Sequence, residues 1–191
     1  MSRPYLEDKT FEKTDYSERG LAIGDYEGCN FVHCNLSNTD LSGISFSECV
    51  FRGCNLSMAK LIKTTLGDTT FNDCKLLGLH FENCNEFLFS AGFDNCILNL
   101  SSFYKLRLKK TVFKNCTLHE VDFTESDLSS AVFENCDLAG AIFDNTLLEK
   151  ADFRSARNYS IDPQTNRISK AKFSQAGIAG LLDKYNIDIE D

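Results

Sequence analysis

Nine cysteines and three histidines carry the most reactive side chains of this chain. Thiolates and imidazoles are the raw material of a structural zinc site, a disulfide framework or a nucleophilic dyad. The spacing supports none of them. No CxxC pair occurs, the cysteine count is odd, and His33, His80 and His119 stand far apart with no partner at metal or triad spacing. A GxxxxGK phosphate loop is also missing. Catalysis, a bound metal and a cofactor are therefore not expected, and the order among the cysteines needs another cause.

That cause is a short repeat. In "VFENCDLAGAIF", residues 132–143, Phe133, Leu138 and Phe143 stand five apart, with Ala131, Cys136 and Ala141 two residues ahead of them. Every fifth residue from Phe11 to Phe81 is Phe, Tyr or Leu, and so is every fifth from Phe93 to Phe153. All nine cysteines occupy the small-residue slot two before a repeat centre, counting Cys84 in the first register. Five matches neither the 3.6-residue period of a helix nor the two-residue period of a strand. It fits a coil that turns a corner at each repeat, with the large residue and the small one before it pointing inward and the other three facing water.

A second period gives the number of sides. Phe11, Phe31, Phe51, Phe71, Phe93, Phe113, Phe133 and Phe153 recur every 20 residues, save one interval of 22. Twenty residues make one coil of four sides. One coil cannot enclose a core, so coils must stack about 4.8 Å apart through backbone hydrogen bonds, which makes a solenoid. The long interval is a two-residue bulge near 84–90, in "NCNEFLFSAG", and not a domain boundary. Counting places Leu88 inward on the fourth side and pushes Phe87 or Phe89 outward. The cysteine column from Cys34 to Cys136 reads as buried, unreactive packing, because one coil spacing exceeds the Cβ separation of about 3.8 Å that a disulfide wants.

The 191 residues carry a net charge of −8. An acidic surface argues against direct binding of nucleic acid or anionic lipid. No run of 18 apolar residues and no leader-like start is seen, so a cytoplasmic protein is expected. Residues 1–154 hold 15 basic and 23 acidic side chains and residues 155–191 five of each, so the whole charge sits on the rod. Lys105, Arg107, Lys109 and Lys110 form a local basic strip, either a solvated face or a contact for an acidic partner.

The segments "NCDLAGAIF", "ECVFRGCNLSMAKL" and "NTDLSGISF" resemble the pentapeptide-repeat proteins. That resemblance implies an all-β solenoid, a right-handed quadrilateral β-helix. Three parts are expected: a β-helix over 1–155, a turn and last coil over 156–174, and a C-terminal helix and tail over 175–191. In "SQAGIAGLLDKYNIDIED", Ile178, Leu181, Leu182 and Tyr185 have the i, i+3, i+4, i+7 spacing of one helix face. The ends of the chain are similar to those of the gyrase-protecting subgroup, the microcin-immunity and quinolone-resistance (Qnr-type) proteins. For that subgroup the resemblance implies a homodimer through Ile178, Leu181, Leu182 and Tyr185 with Ile187 and Ile189, and a DNA-mimicking rod that binds DNA gyrase or topoisomerase IV. The alternatives are a helix that only caps a monomer, and a scaffold or regulatory module with an unrelated partner.

Overall fold

The computed structural model describes residues 3–189. Parallel strands of three or four residues stack in two sheets on adjacent sides of a four-sided β-solenoid. One sheet runs β1 (Tyr5–Glu7), β3 (Asp25–Glu27), β5 (Ser45–Ser47), β7 (Thr65–Gly67). The other runs β2 (Thr10–Glu12), β4 (Asn30–Val32), β6 (Val50–Arg52), β8 (Thr69–Asn72), β9 (Ala91–Asp94), β10 (Val112–Lys114), β11 (Val132–Glu134). Register is kept at 20 residues, as in Phe31↔Phe51, and at 22 across the insert, as in Phe71↔Phe93. The two remaining sides pair through single bridges such as Asn35↔Asn55 and Asp40↔Lys60. Beyond the insert the fourth side also changes from strands to single bridges, Arg107↔Asp127 and Asp127↔Leu147.

The corners have a specific backbone form. The residue two after most centres takes a positive φ, among them His33 at 52°, Met58 at 60°, Leu100 at 61° and Lys110 at 62°. Such single left-handed residues cost about 1–2 kcal/mol each when they are not glycine. Most corner amides recover a bond by donating to a carbonyl one coil on, as His33 does to Arg52 at 2.8 Å and Leu100 to His119 at 2.9 Å. Asp or Asn just before a centre closes the side: Asn55 accepts from the Ser57 amide at 3.1 Å and Asp127 from that of Ser129 at 3.1 Å. These acids and amides are bound up in turns.

Inside, phenylalanines stack face to face. Phe93 and Phe113 lie 5.2 Å apart at 2°, and Phe113 and Phe133 5.1 Å apart at 5°. A second aromatic column meets the first edge-on. It occupies the fourth side as Tyr26 and Phe46 in the early coils, then moves to the third as Phe81, Phe103, Phe123 and Phe143. All nine cysteines are free and buried. All of their thiols but that of Cys84 donate to carbonyls of the preceding coil, Cys54 to Phe31 at 3.3 Å and Cys136 to Phe113 at 3.3 Å. Burial pushes the thiols of Cys49 and Cys84 up to about 12, which keeps them protonated and inert.

The insert corrects one expectation. Leu88 points outward, 61% exposed, and Phe89 packs inward edge-on to Phe81 at 6.0 Å. The chain makes 3₁₀ turns over Phe81–Asn83 and Glu86–Leu88 and rejoins the stack when the Ser90 amide donates to Leu66 at 2.7 Å. Counting in fives assumed extended backbone there. The 3₁₀ turns shift the inward position by one residue.

Because Phe113 is sandwiched between two rings and fully buried, Phe113→Ala should lower the unfolding free energy by about 3–5 kcal/mol. Lys114→Ala, half-exposed beside it, should move it by less than about 0.5 kcal/mol. Urea titration of both variants checks this, and equal effects would mean the ring column is not the core.

Candidate interaction surfaces

Two places depart from the regular rod: the C-terminal end and the insert with the basic strip behind it. At the end, Phe173 stacks on Phe153 at 5.4 Å and closes the first-side column. Asn166 takes an inward slot, where its amide donates to Phe143 at 2.9 Å and its oxygen accepts from the Thr146 amide at 2.9 Å. A polar residue is tolerated there because each of its groups is bonded.

The terminal helix is 3₁₀ over Gln175–Leu181 and Asp183–Tyr185. With three residues per turn, positions i and i+3 lie above one another. Gly177 and Gly180 therefore share a face, and that face lies against Tyr159: a Cβ on Gly180 would strike the Tyr159 carbonyl, and one on Gly177 its hydroxyl. The Ile161 amide donates to Gly180 at 2.9 Å. Lys184 reaches Asp162 at 2.6 Å and holds its carboxyl below the ordinary carboxylate range. The expected face of Ile178, Leu181, Leu182 and Tyr185 is split as a result. Leu181 packs on the core, Leu182 is half-buried, and Ile178, Tyr185, Ile187 and Ile189 are exposed. Ala179, Leu182, Ile187 and Ile189 line an outward hollow of about 220 Å³. An α-helical wheel cannot show this division. The visible signal was the pair of glycines three apart in "GIAG".

On the rod, Arg107 and Lys109 flank buried Leu108 on the fourth side, and Lys105 and Lys110 sit at its two corners. Lys105 pairs with Glu125 at 3.4 Å, Lys109 with Asp127 at 3.1 Å, and Arg107 with Glu86 of the insert at 3.6 Å. The strip is thus one side of one coil, the coil that follows the insert. His80 bonds Glu82 at 2.9 Å and His119 lies 3.4 Å from Asp137, in separate places. Among the described residues no three of His, Cys, Asp or Glu stand together as metal ligands. No described helix is long and apolar enough to cross a membrane.

A stacked four-sided solenoid, with its departures from regularity at one end and one side, defines a repeat protein. The chain belongs to the pentapeptide-repeat family: the description "Pentapeptide repeat region" matches residues 25–86 and 87–162. Among solved structures it is similar to full-length QnrB1, a plasmid-mediated fluoroquinolone resistance protein, at 16% identity and a TM-score of 0.56, covering 96% of this chain and 100% of that one. It is equally similar to HetL, a pentapeptide repeat protein involved in heterocyst differentiation regulation from the cyanobacterium Nostoc sp., at 18% identity and a TM-score of 0.56, covering 89% and 86%. At such identities the likeness is one of fold. Among curated proteins no relative matches the chain.

Gly180→Ala should lift the terminal helix from Tyr159, at a cost of about 1–3 kcal/mol. Hydrogen exchange reads this directly, because the Ile161 amide loses its acceptor. Unchanged protection at Ile161 would show that the glycines do not hold the cap.

Proposed function

We propose that this protein is a non-enzymatic, DNA-mimicking binder of a type II topoisomerase, DNA gyrase first, that modulates the enzyme or protects it from a microcin- or quinolone-type poison. The observation that carries the reading is the placement of charge. The coils hold 23 acidic against 15 basic side chains over residues 1–154, while the end segment is balanced. A groove that binds DNA carries positive potential to hold phosphates, and an acidic rod is steered into it. The full-length overlap with QnrB1, a fluoroquinolone resistance protein, supports the same direction. A dimer joined through Ile178, Leu182, Tyr185, Ile187 and Ile189 would double the rod. These side chains leave apolar surface in water at the far end, which a second copy would cover.

A second reading is favoured by the equal likeness to HetL, a pentapeptide repeat protein involved in heterocyst differentiation regulation. In that case the rod is a scaffold or regulatory module with another partner. Plasmid supercoiling by gyrase, with and without a fluoroquinolone, separates the two. Relief of poisoning, or inhibition at higher dose, is expected. No effect on gyrase or topoisomerase IV at micromolar protein would remove the topoisomerase reading and favour the scaffold.

The dimer is tested separately by sedimentation. Ile178→Asp combined with Ile187→Asp changes two exposed side chains outside the core and should halve the mass while the fold is kept. A wild-type protein that already sediments at 21.5 kDa would refute the dimer. Leu181→Asp is the contrasting variant: Leu181 packs on the core, so it should lower stability, by about 2 kcal/mol.

A further inference from the structure

We propose that the cleft beside the insert is a docking groove for an acidic, extended segment of a partner protein, with Phe87 supplying the apolar contact. The cleft holds about 480 Å³ and is walled by three successive coils, through Asp68 to Thr70, Phe89 to Gly92 and Arg107 to Val112. Three coils spaced by about 4.8 Å give it a run of about 10 Å along the rod, the length of about three extended residues. Gly92 opens it. The same outward position is filled by Thr70 in the coil before and by Val112 in the coil after, and a Cβ on Gly92 would meet only the Thr70 methyl, at 3.9 Å.

Its charge selects the occupant. Arg107, Lys109 and Lys110 line the groove against one acid, Asp68, which accepts from the Ser90 hydroxyl at 2.7 Å. Arg107 is tied to Glu86 by an exposed ion pair, which is weak, the exposed Lys109 ammonium reaches a half-buried Asp127, and Lys110 has no ion pair among the described residues. Carboxylates entering the groove would meet three cations, whereas the rest of a rod with net charge −8 would repel them. An acidic segment is therefore drawn to this one side. Phe87 stands on the insert that forms a wall of the groove. It is 93% exposed, the most exposed of the large hydrophobics among the described residues, and Leu88 beside it is 61% exposed. Aromatic side chains and arginine are enriched in the cores of protein interfaces. The groove does not depend on the topoisomerase reading, since it needs only its own side chains.

The probe is a fluorescein-labelled hexapeptide alternating Glu or Asp with Leu, followed by anisotropy against full-length protein at low salt. Saturable binding is expected, weakened about tenfold or more by Lys109→Glu with Lys110→Glu and about threefold by Phe87→Ser. The control is Lys150→Glu with Lys170→Glu, which makes the same charge change at corners of the same side further along the rod and should leave binding unchanged. Circular dichroism verifies that each variant is folded. Absence of binding at 500 µM, on the order of the weakest contact a docking groove must show, would overturn the proposal. So would equal weakening by the control pair, or equal binding of a labelled DNA duplex, since either outcome would reveal unspecific attraction of anions.

Discussion

A coil of twenty residues encloses nothing by itself, and every amide on it that faces along the axis must find a carbonyl on the next coil. This requirement ties residue i to residues about 20 away throughout the rod, as in His33 to Arg52 and Asn55 to Cys34. It demands that each coil repeat the path of the one below, including the left-handed residue at each corner. The corners are strained for most residue types, and their strain is offset by the bonds they make and by the phenylalanines stacked within. Once the path is fixed, inward side chains can only stack on their own kind. Rings lie flat on rings and thiols line up with carbonyls.

The same constraint explains why the architecture was legible in the sequence and the binding surfaces were not. Inward slots admit few residue types, so Phe, Leu and Cys print the period plainly. Outward slots admit many: the corner position holds His33, Met58, Leu100 and Lys110 alike, and its left-handed backbone leaves no single signature. Where the backbone changes form, counting fails. The 3₁₀ turns of the insert exchange Leu88 for Phe89, and the 3₁₀ terminal helix divides a face that α-helical spacing had joined. Gly177 and Gly180 carry the packing there through the absence of side chains, which a search for apolar periodicity passes over. Of the candidate site residues, the basic strip was legible as a run, but its place beside the insert required the register.

The insert also has consequences inside the rod. Ahead of it the second aromatic column runs on the fourth side with Tyr26 and Phe46, and that side pairs as strands. From Phe81, just before it, the column runs on the third side, and behind the insert the fourth side is lined by Leu108, Leu128 and Leu148 and pairs by single bridges. Phe89 touches Phe81 edge-on where the change occurs. Two extra residues are therefore accommodated at a point where the core changes its filling. There the fourth side has no stacked ring to displace.

A rod with an interchangeable exterior can acquire a binding surface without disturbing its core, because outward substitutions leave the stack alone. A uniform acidic face offers attraction over its whole length and no preferred position along it. A partner can be steered by such a face, but its register is set only where the uniformity is broken. Two places that differ from the rest are the C-terminal end, with its exposed isoleucines, and the insert, with Phe87, Gly92 and the cations. The first is apolar, while the second is basic. Two surfaces of opposite character on one stiff body would hold their partners at a fixed separation, a property that follows from the stacking and not from either surface alone.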